Sequence, residues 1–239
     1  MRVSCRVMLA GFAARETTQT PEKYKSPMLQ YHTVPVTAFQ QNCSLVWCDQ
    51  TMDAAVIDPG GDLEQIEWEV ERLGLNLKAI WITHAHIDHA GGTSELAAKY
   101  ELPIIGPHEG DQFWIDGLPQ QGAMFGFPHS DPFVPTRWLH DGDTVSIGQE
   151  TLNVRHCPGH TPGHVVFHSP QIDRAFVGDV LFAGSIGRTD FPQGNHQQLI
   201  DSIVQRLWPM GDQTIFIPGH GPESSFGRER KLNPYVSGT

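Results

Sequence analysis

Trp81-Ile82-Thr83-His84-Ala85-His86-Ile87-Asp88-His89-Ala90-Gly91-Gly92 puts three histidines and an aspartate within six residues, between an apolar run and a glycine pair. Ile80, Trp81 and Ile82 are apolar and β-prone, so they read as the end of a buried strand. Gly91-Gly92, followed by Ser94, Leu96, Ala97, Ala98 and Tyr100, reads as a turn opening into a helix. The four polar side chains therefore sit in a strand-to-helix loop at a sheet edge, where α/β proteins keep much of their chemistry.

Upstream of this stretch, Tyr31–Val36, Ser44–Cys48 and Ala54–Ile57 read as successive strands. Asp62 is expected to N-cap a helix carrying Leu63, Ile66, Val70 and Leu73 on one face, stopped by Gly74. Strand Ala79–Ile82 leads into the motif; helix Thr93–Tyr100 and a short buried strand, Pro103–Ile105, follow it. Residues 108–140 are broken by Pro119, Pro128, Pro132 and Pro135 and are rich in aromatic residues. They read as an irregular insertion, either a substrate-covering loop or a peripheral packing excursion. Strands over Thr144–Ile147, Leu152–His156, Val165–His168 and Ala175–Val177, a helix over His196–Leu207 and a strand over Thr214–Ile217 complete the pattern. Runs of short antiparallel strands with a few amphipathic helices suggest an α/β (α+β) chain of two sheets packed face to face and covered outside by helices.

The 239 residues suffice for one large domain with a substantial core, assigned to 28–239. Residues 1–27 carry five basic residues against two acidic ones, while the whole chain has a net charge of -11. This segment is read as a disordered N-terminal extension rather than a targeting sequence, with the body in the cytoplasm. The acidic balance argues against nucleic acid as a partner. No apolar run approaches the ~18 residues of a membrane helix, so no membrane partner is expected. Cys5, Cys43, Cys48 and Cys157 form no CxxC pair and are read as reduced structural thiols.

Thirteen histidines are many for this length, and the useful question is which converge. His84 and His86, two apart in extended chain, point the same way; Asp88 and His89 form a second pair after a change of backbone direction. A contiguous group of this kind does not easily wrap one ion, which suggests two adjacent ions. Three later loops, each after a strand-like run and flanked by Gly or Pro, supply His160, Asp179 and His220. The seven divide into His84, His86 and His160 for one ion and Asp88, His89 and His220 for the other, with the two oxygens of Asp179 as a bridge. Imidazole and carboxylate suit zinc, iron or manganese, with zinc the leading choice, and the lack of thiolates argues against a closed structural zinc. The remaining histidines, His164 among them, read as structural or surface residues.

Thr83-His84-x-His86-x-Asp88-His89, with these loops, resembles the signature of the metallo-β-lactamase superfamily, and residues 29–235 most resemble its single-domain, glyoxalase II-like hydrolases. The resemblance implies an αββα four-layer sandwich with a dinuclear site at one edge. It also implies that Asp58 is structural rather than a ligand. The expected reaction is hydrolysis of S-lactoylglutathione or a related acyl thioester by a metal-bridging hydroxide, with Asp88 both ligating and orienting that hydroxide. In two-domain glyoxalase II enzymes a basic residue in the loop corresponding to Gly184–Gly194 binds glutathione, and Arg188 resembles it, so Arg188 is expected to hold a substrate carboxylate; the competing reading pairs it with Asp190. The Gly187-Arg188-Thr189-Asp190-Phe191 run is similar to the persulfide dioxygenases as well. Only nineteen residues follow His220, which is similar to the single-domain branch. Two other readings stand beside the thioesterase: a mononuclear iron persulfide dioxygenase using His84, His86, His160 and Asp179, and a non-catalytic metal-binding protein.

Overall fold

The computed structural model describes Met1 and residues 28–238. The expected extension lies outside the described residues apart from Met1. β1 (Leu29–Val36), β2 (Gln41–Cys48) and β3 (Asp53–Ile57) form an antiparallel meander. Helix α1 (Leu63–Leu73) then carries the chain over the sheet to β4 (Asn76–Trp81), which pairs parallel with β3. The motif supplies α2 (Ile87–Ala90), and α3 (Thr93–Tyr100) leads to β5 (Ile104–Ile105), parallel to β4. A 3-10 turn at Glu109–Asp111 precedes α4 (Gln112–Asp116) and α5 (Leu118–Phe125).

The second sheet collects β6 (Thr144–Ile147), β7 (Glu150–His156), β8 (Val165–Ser169) and β9 (Arg174–Gly178). A small hairpin follows, β10 (Leu181–Phe182) and β11 (Ser185–Ile186), and then α6 (His196–Ser202). Strands β12 (Ile215–Pro218) and β13 (Ser224–Ser225) and helix α7 (Phe226–Leu232) close the fold. The sheet orders are β1-β2-β3-β4-β5 and β13-β12-β9-β8-β7-β6.

Three separate core clusters make the four layers. Alternate residues of one strand enter different clusters, because successive side chains leave a strand on opposite faces. Val56 and Ile80 meet Ile66 of α1 and Leu96 of α3, whereas Ile57 and Trp81 face inward to Val154, Phe167 and Phe176. Val166, Val177 and Phe216 turn outward to Leu199, Leu207 and Phe226 beneath α6 and α7. Trp81 and Phe167, both fully buried with ring centroids 5.4 Å apart, join the two sheets. Each such side chain contributes ~1.5–3 kcal/mol through burial. Sheets covered on both faces explain the near-continuous apolar runs of the central strands. The chain is an αββα sandwich, as expected.

Four local expectations change. The strand runs are not wholly antiparallel: β3–β4, β4–β5 and β9–β12 pair in parallel. A helix that must cover the outer face returns the next strand in the same direction. Asp62 does not cap α1: its backbone is left-handed (φ 47°) and its Oδ2 accepts from Thr37 N at 2.7 Å, clamping the β1–β2 turn instead. The helix expected over His196–Leu207 is α-helical to Ser202, capped by Asn195, and widens into a π-helical turn over Ile203–Leu207. Residues 108–140 are helical in their first half, in α4 and α5, and irregular only beyond Gly126.

Candidate metal centre

Strand β4 ends at Trp81, and the chain leaves the sheet extended through His84 and His86 before turning into α2. That turn separates the two halves of the motif. His84 and His86 stay on the extended segment with ring centroids 4.8 Å apart, while Asp88 and His89 project from the short helix. The remaining ligand candidates arrive on backbone-pinned loops. The loop before β8 is closed by Cys157 N to His164 O at 2.8 Å and tied to the motif by Val165 N to Thr83 O at 2.8 Å; it brings in His160. Asp179 follows β9 directly, and its backbone N donates to His164 Nε2 at 3.0 Å. His220 follows β12 on a loop held by Asn42, whose side chain donates to the carbonyls of Pro218 and Gly221. Gly219 has to lack a side chain, because a Cβ there would run into Asp179 Oδ1 and His89 Cε1.

All seven sequence candidates meet at this one edge. His86 Nδ1 lies 2.9 Å from His160 Nε2, and His84, His86 and His160 form one group whose ligand atoms lie within 4.8 Å of one another. Asp88, His89 and His220 form another to the same limit, with His220 Nε2 3.0 Å from Asp88 Oδ2. Asp179 lies between them: Oδ1 is 3.3 Å from His89 Nε2, and Oδ2 is 3.5 Å from His160 Nε2 and 3.8 Å from His220 Nε2.

The outward ring nitrogens are occupied, which aims the other nitrogen inward. His89 Nδ1 is 2.9 Å from Asp58 Oδ2, His160 Nδ1 is 2.7 Å from Arg188 O, and His220 Nδ1 is 3.1 Å from Phe39 O. Asp58, expected to be structural, does bind Thr83 N and Thr83 Oγ1 as well as His89. It also falls within reach of His84 and His89 as a third candidate group, but its oxygens are already engaged. His164, stacked on His84 at 4.6 Å, holds the Asp179 backbone and is structural, as expected.

The residues fit divalent cations. His84 Nε2 and His86 Nε2 are buried polar atoms with no hydrogen-bond partner, which is costly unless something charged satisfies them. The electrostatics agree. Burial, with neighbouring histidines, pushes His84 and His86 well below the usual imidazole range, and burial lowers His160 as well. These are neutral imidazoles with free lone pairs. Burial also opposes charge on His89, yet the Asp179 and Asp88 carboxylates outweigh it and hold that ring well above its usual value. Asp179 is itself held well below the carboxylate range, burial being overcome by His89, His160 and His220.

A cleft of about 840 Å³ opens over the centre. His86, Asp88, His160, Asp179 and His220 reach its floor, while α4 and α5 supply Phe113, Trp114, Met124 and Phe125 as one wall. The proline-broken stretch thus partly covers the site. Arg188 also lines the cleft, but its Nε and Nη2 donate to Asp190 at 2.7 and 2.6 Å and its guanidinium stacks on Phe191 at 4.1 Å. A second His-rich group, His108, Glu109 and His140, lies away from the cleft. His108 Nδ1 accepts from Gly110 N, which leaves its proton on Nε2, so this ring is no ready ligand.

A family model described as the Metallo-beta-lactamase superfamily matches residues 36–220. The chain belongs to that superfamily. Among its relatives, hydroxyacylglutathione hydrolase GloC of Haemophilus influenzae is 45% identical over 205 residues, covering 85% of this chain and 96% of that protein. Of solved structures, BLEG-1 B3 metallo-beta-lactamase is similar with a TM-score of 0.81 at 33% identity, covering 87% of this chain and all (100%) of that one. TTHA1623 in a di-iron-bound form follows at 0.78 and 34%, with 86% and 100% coverage.

Sequence reasoning missed two residues that hold the superfamily motif in place. Asp111, buried ahead of α4, accepts from Ala85 N, Thr161 Oγ1 and Gly163 N. Gln121 of α5 accepts from Ile87 N and donates to Ala85 O and Trp114 O. Neither stands in a recognisable pattern, and each has polar neighbours along the chain, Glu109 and Gln112 for one and Gln120 for the other, so nothing local sets it apart.

Proposed function

We propose that the chain is a cytoplasmic glyoxalase II-type thioesterase that cleaves S-lactoylglutathione or a closely related acyl thioester to a carboxylic acid and a free thiol. The observation that carries this reading is the convergence of seven imidazole and carboxylate side chains, five of which line an open, aromatic-walled cleft. The similarity to GloC across 96% of that protein's length supports the substrate class. Three described cysteines, Cys43, Cys48 and Cys157, are free and buried, which suits a reducing compartment. No helix among the described residues is long and apolar enough to cross a membrane.

His84, His86 and His160 would hold one divalent ion and Asp88, His89 and His220 the other, with Asp179 shared. Zinc suits this set, and iron or manganese is accepted by the same donors. Such a pair of ions lowers the pKa of a bound water and polarises a carbonyl oxygen. The chain's own groups do the rest. Asp88 has its carboxylate at the cleft floor, placed to accept a hydrogen bond from the attacking water and fix its direction. Trp114 and Phe191 pack edge-on against the His86 ring at 4.6 and 5.0 Å and keep bulk water from that side. Arg188, flattened on Phe191 and held by Asp190, keeps Nη1 free for a substrate carboxylate. The ion pair with Asp190 and the substrate role are therefore compatible.

The mononuclear dioxygenase reading would leave Asp88, His89 and His220 without a task, although their ligand atoms also lie within 4.8 Å of one another. Elemental analysis of the purified protein, paired with thiol release from S-lactoylglutathione, tests the proposal. Two ions per chain and hydrolysis abolished by Asp179→Ala are expected. A metal-loaded protein inactive across a panel of acyl thioesters refutes it.

A further inference from the structure

Asp111 is a fully buried carboxylate whose described hydrogen-bond donors are all neutral. Oδ2 accepts from Ala85 N at 3.0 Å and from Thr161 Oγ1 at 2.9 Å, while Oδ1 accepts from Gly163 N at 2.6 Å. Ala85 stands between His84 and His86, and Thr161 directly follows His160. One side chain therefore ties together the two loops that bring His84, His86 and His160 into a group. None of its hydrogen bonds reaches α2 or the loop of His220. The backbone repeats the tie: His108 N donates to Gly163 O at 3.0 Å, just before the turn that carries Asp111.

We infer that Asp111 is the positioning residue of the His84–His86–His160 group, setting that group's affinity for its ion while leaving the Asp88–His89–His220 group unaffected. The inference rests on the two-ion reading above. Only a carboxylate serves here, because both oxygens accept from N–H donors. An asparagine must turn its NH₂ either to Gly163 N–H or to Ala85 N–H, and each choice buries donor against donor. Burial raises the Asp111 carboxyl to about 7, and the ionised form, in which both oxygens accept, is the one that makes all three hydrogen bonds.

The test is a Co²⁺ titration of the metal-stripped full chain, read by visible absorption and by bound metal per chain, for wild type, Asp111→Asn and Thr161→Val. Partners of this kind are worth roughly 10–100-fold in metal affinity. Asp111→Asn is expected to weaken one of the two Co²⁺ ions by at least about tenfold and to leave the other unchanged. Adding His220→Ala should then remove the ion that remained. Thr161→Val, which deletes a single donor at constant shape, should weaken the same ion by a smaller factor. This variant decides the matter if Asp111→Asn does not fold. Equal weakening of both ions, or no change in either with the circular dichroism intact, overturns the inference. A wild type that binds a single Co²⁺ refutes the two-ion reading instead. Asp111 is then judged on that ion, where unchanged affinity in both variants overturns its role and loss sustains it.

Discussion

Replacing Asp58 by Asn exchanges one oxygen for an NH₂ in the buried contact that orients His89. Asp58 Oδ1 accepts from Thr83 N at 2.7 Å, and Oδ2 accepts from Thr83 Oγ1 at 2.5 Å and faces His89 Nδ1 at 2.9 Å. With the amide oxygen kept against Thr83 N, the NH₂ faces the hydroxyl and the imidazole. The reverse orientation sets NH₂ against a buried N–H, at about 1–3 kcal/mol, so the first wins. In the neutral, ion-binding form of His89, Nδ1 must then accept, with Gln41 Nε2 at 3.4 Å as a second donor, and the one ring proton moves to Nε2. That nitrogen is the one beside Asp179 Oδ1, and a protonated nitrogen cannot ligate. The expected loss is roughly 10–100-fold in affinity for the ion of Asp88, His89 and His220, or about 1.4–2.7 kcal/mol. The His84 group should be spared. Calorimetric Zn²⁺ titration gives the affinities, and long-range ¹H–¹⁵N correlation of the imidazoles gives the tautomer. A His89 still protonated at Nδ1 with unchanged affinity would refute the reasoning, as would equal loss of both ions.

Three further outcomes follow from the same geometry. His89 is held protonated by Asp179 and Asp88 against its burial, and His220 is raised by Asp88 despite burial, so ion binding at their group releases protons. Its affinity should fall as pH drops below those raised values, by up to about tenfold per pH unit for each proton. His84, His86 and His160, already neutral, should show no such slope near neutrality, and pH-stat titration separates the two. Gly219→Ala drives a Cβ into Asp179 and His89; about 1–3 kcal/mol of destabilisation and loss of bound metal are expected from thermal unfolding and metal counts. Arg188→Ala should raise KM for a glutathione thioester about tenfold, as expected for ~1.4 kcal/mol of binding, while leaving kcat and the KM for a thioester without carboxylates unchanged; a matching rise for both substrates would make Arg188 a packing residue.

The candidate ligand set was legible because its cues are local. His84, His86, Asp88 and His89 crowd into six residues after a strand, His160, Asp179 and His220 each follow a glycine in a later loop, and the structure brings all seven together. The helix faces of α1 and α6 were readable in the same way, from the spacing of Ile66 or Leu199 and their neighbours. Asp62 misled because its sequence position suits a cap, while a left-handed backbone sends the carboxylate to Thr37. The helices α4 and α5 were hidden by prolines and glycines that turn out to sit at their starts and ends: Gly117, Pro119 and Gly126.

The sequence by itself determined the chemistry available: imidazole and carboxylate donors, without thiolates, on loops at one edge of a two-sheet sandwich. Such properties belong to residue types and short spacings, which no packing alters. The tertiary structure alone decided how those donors are held. Asp111 reaches Ala85, Thr161 and Gly163 across 26, 50 and 52 residues, and Asp58 reaches His89 across 31. A buried carboxylate finds its donors only when separate loops close around it, and no pattern along the chain records which loops those are.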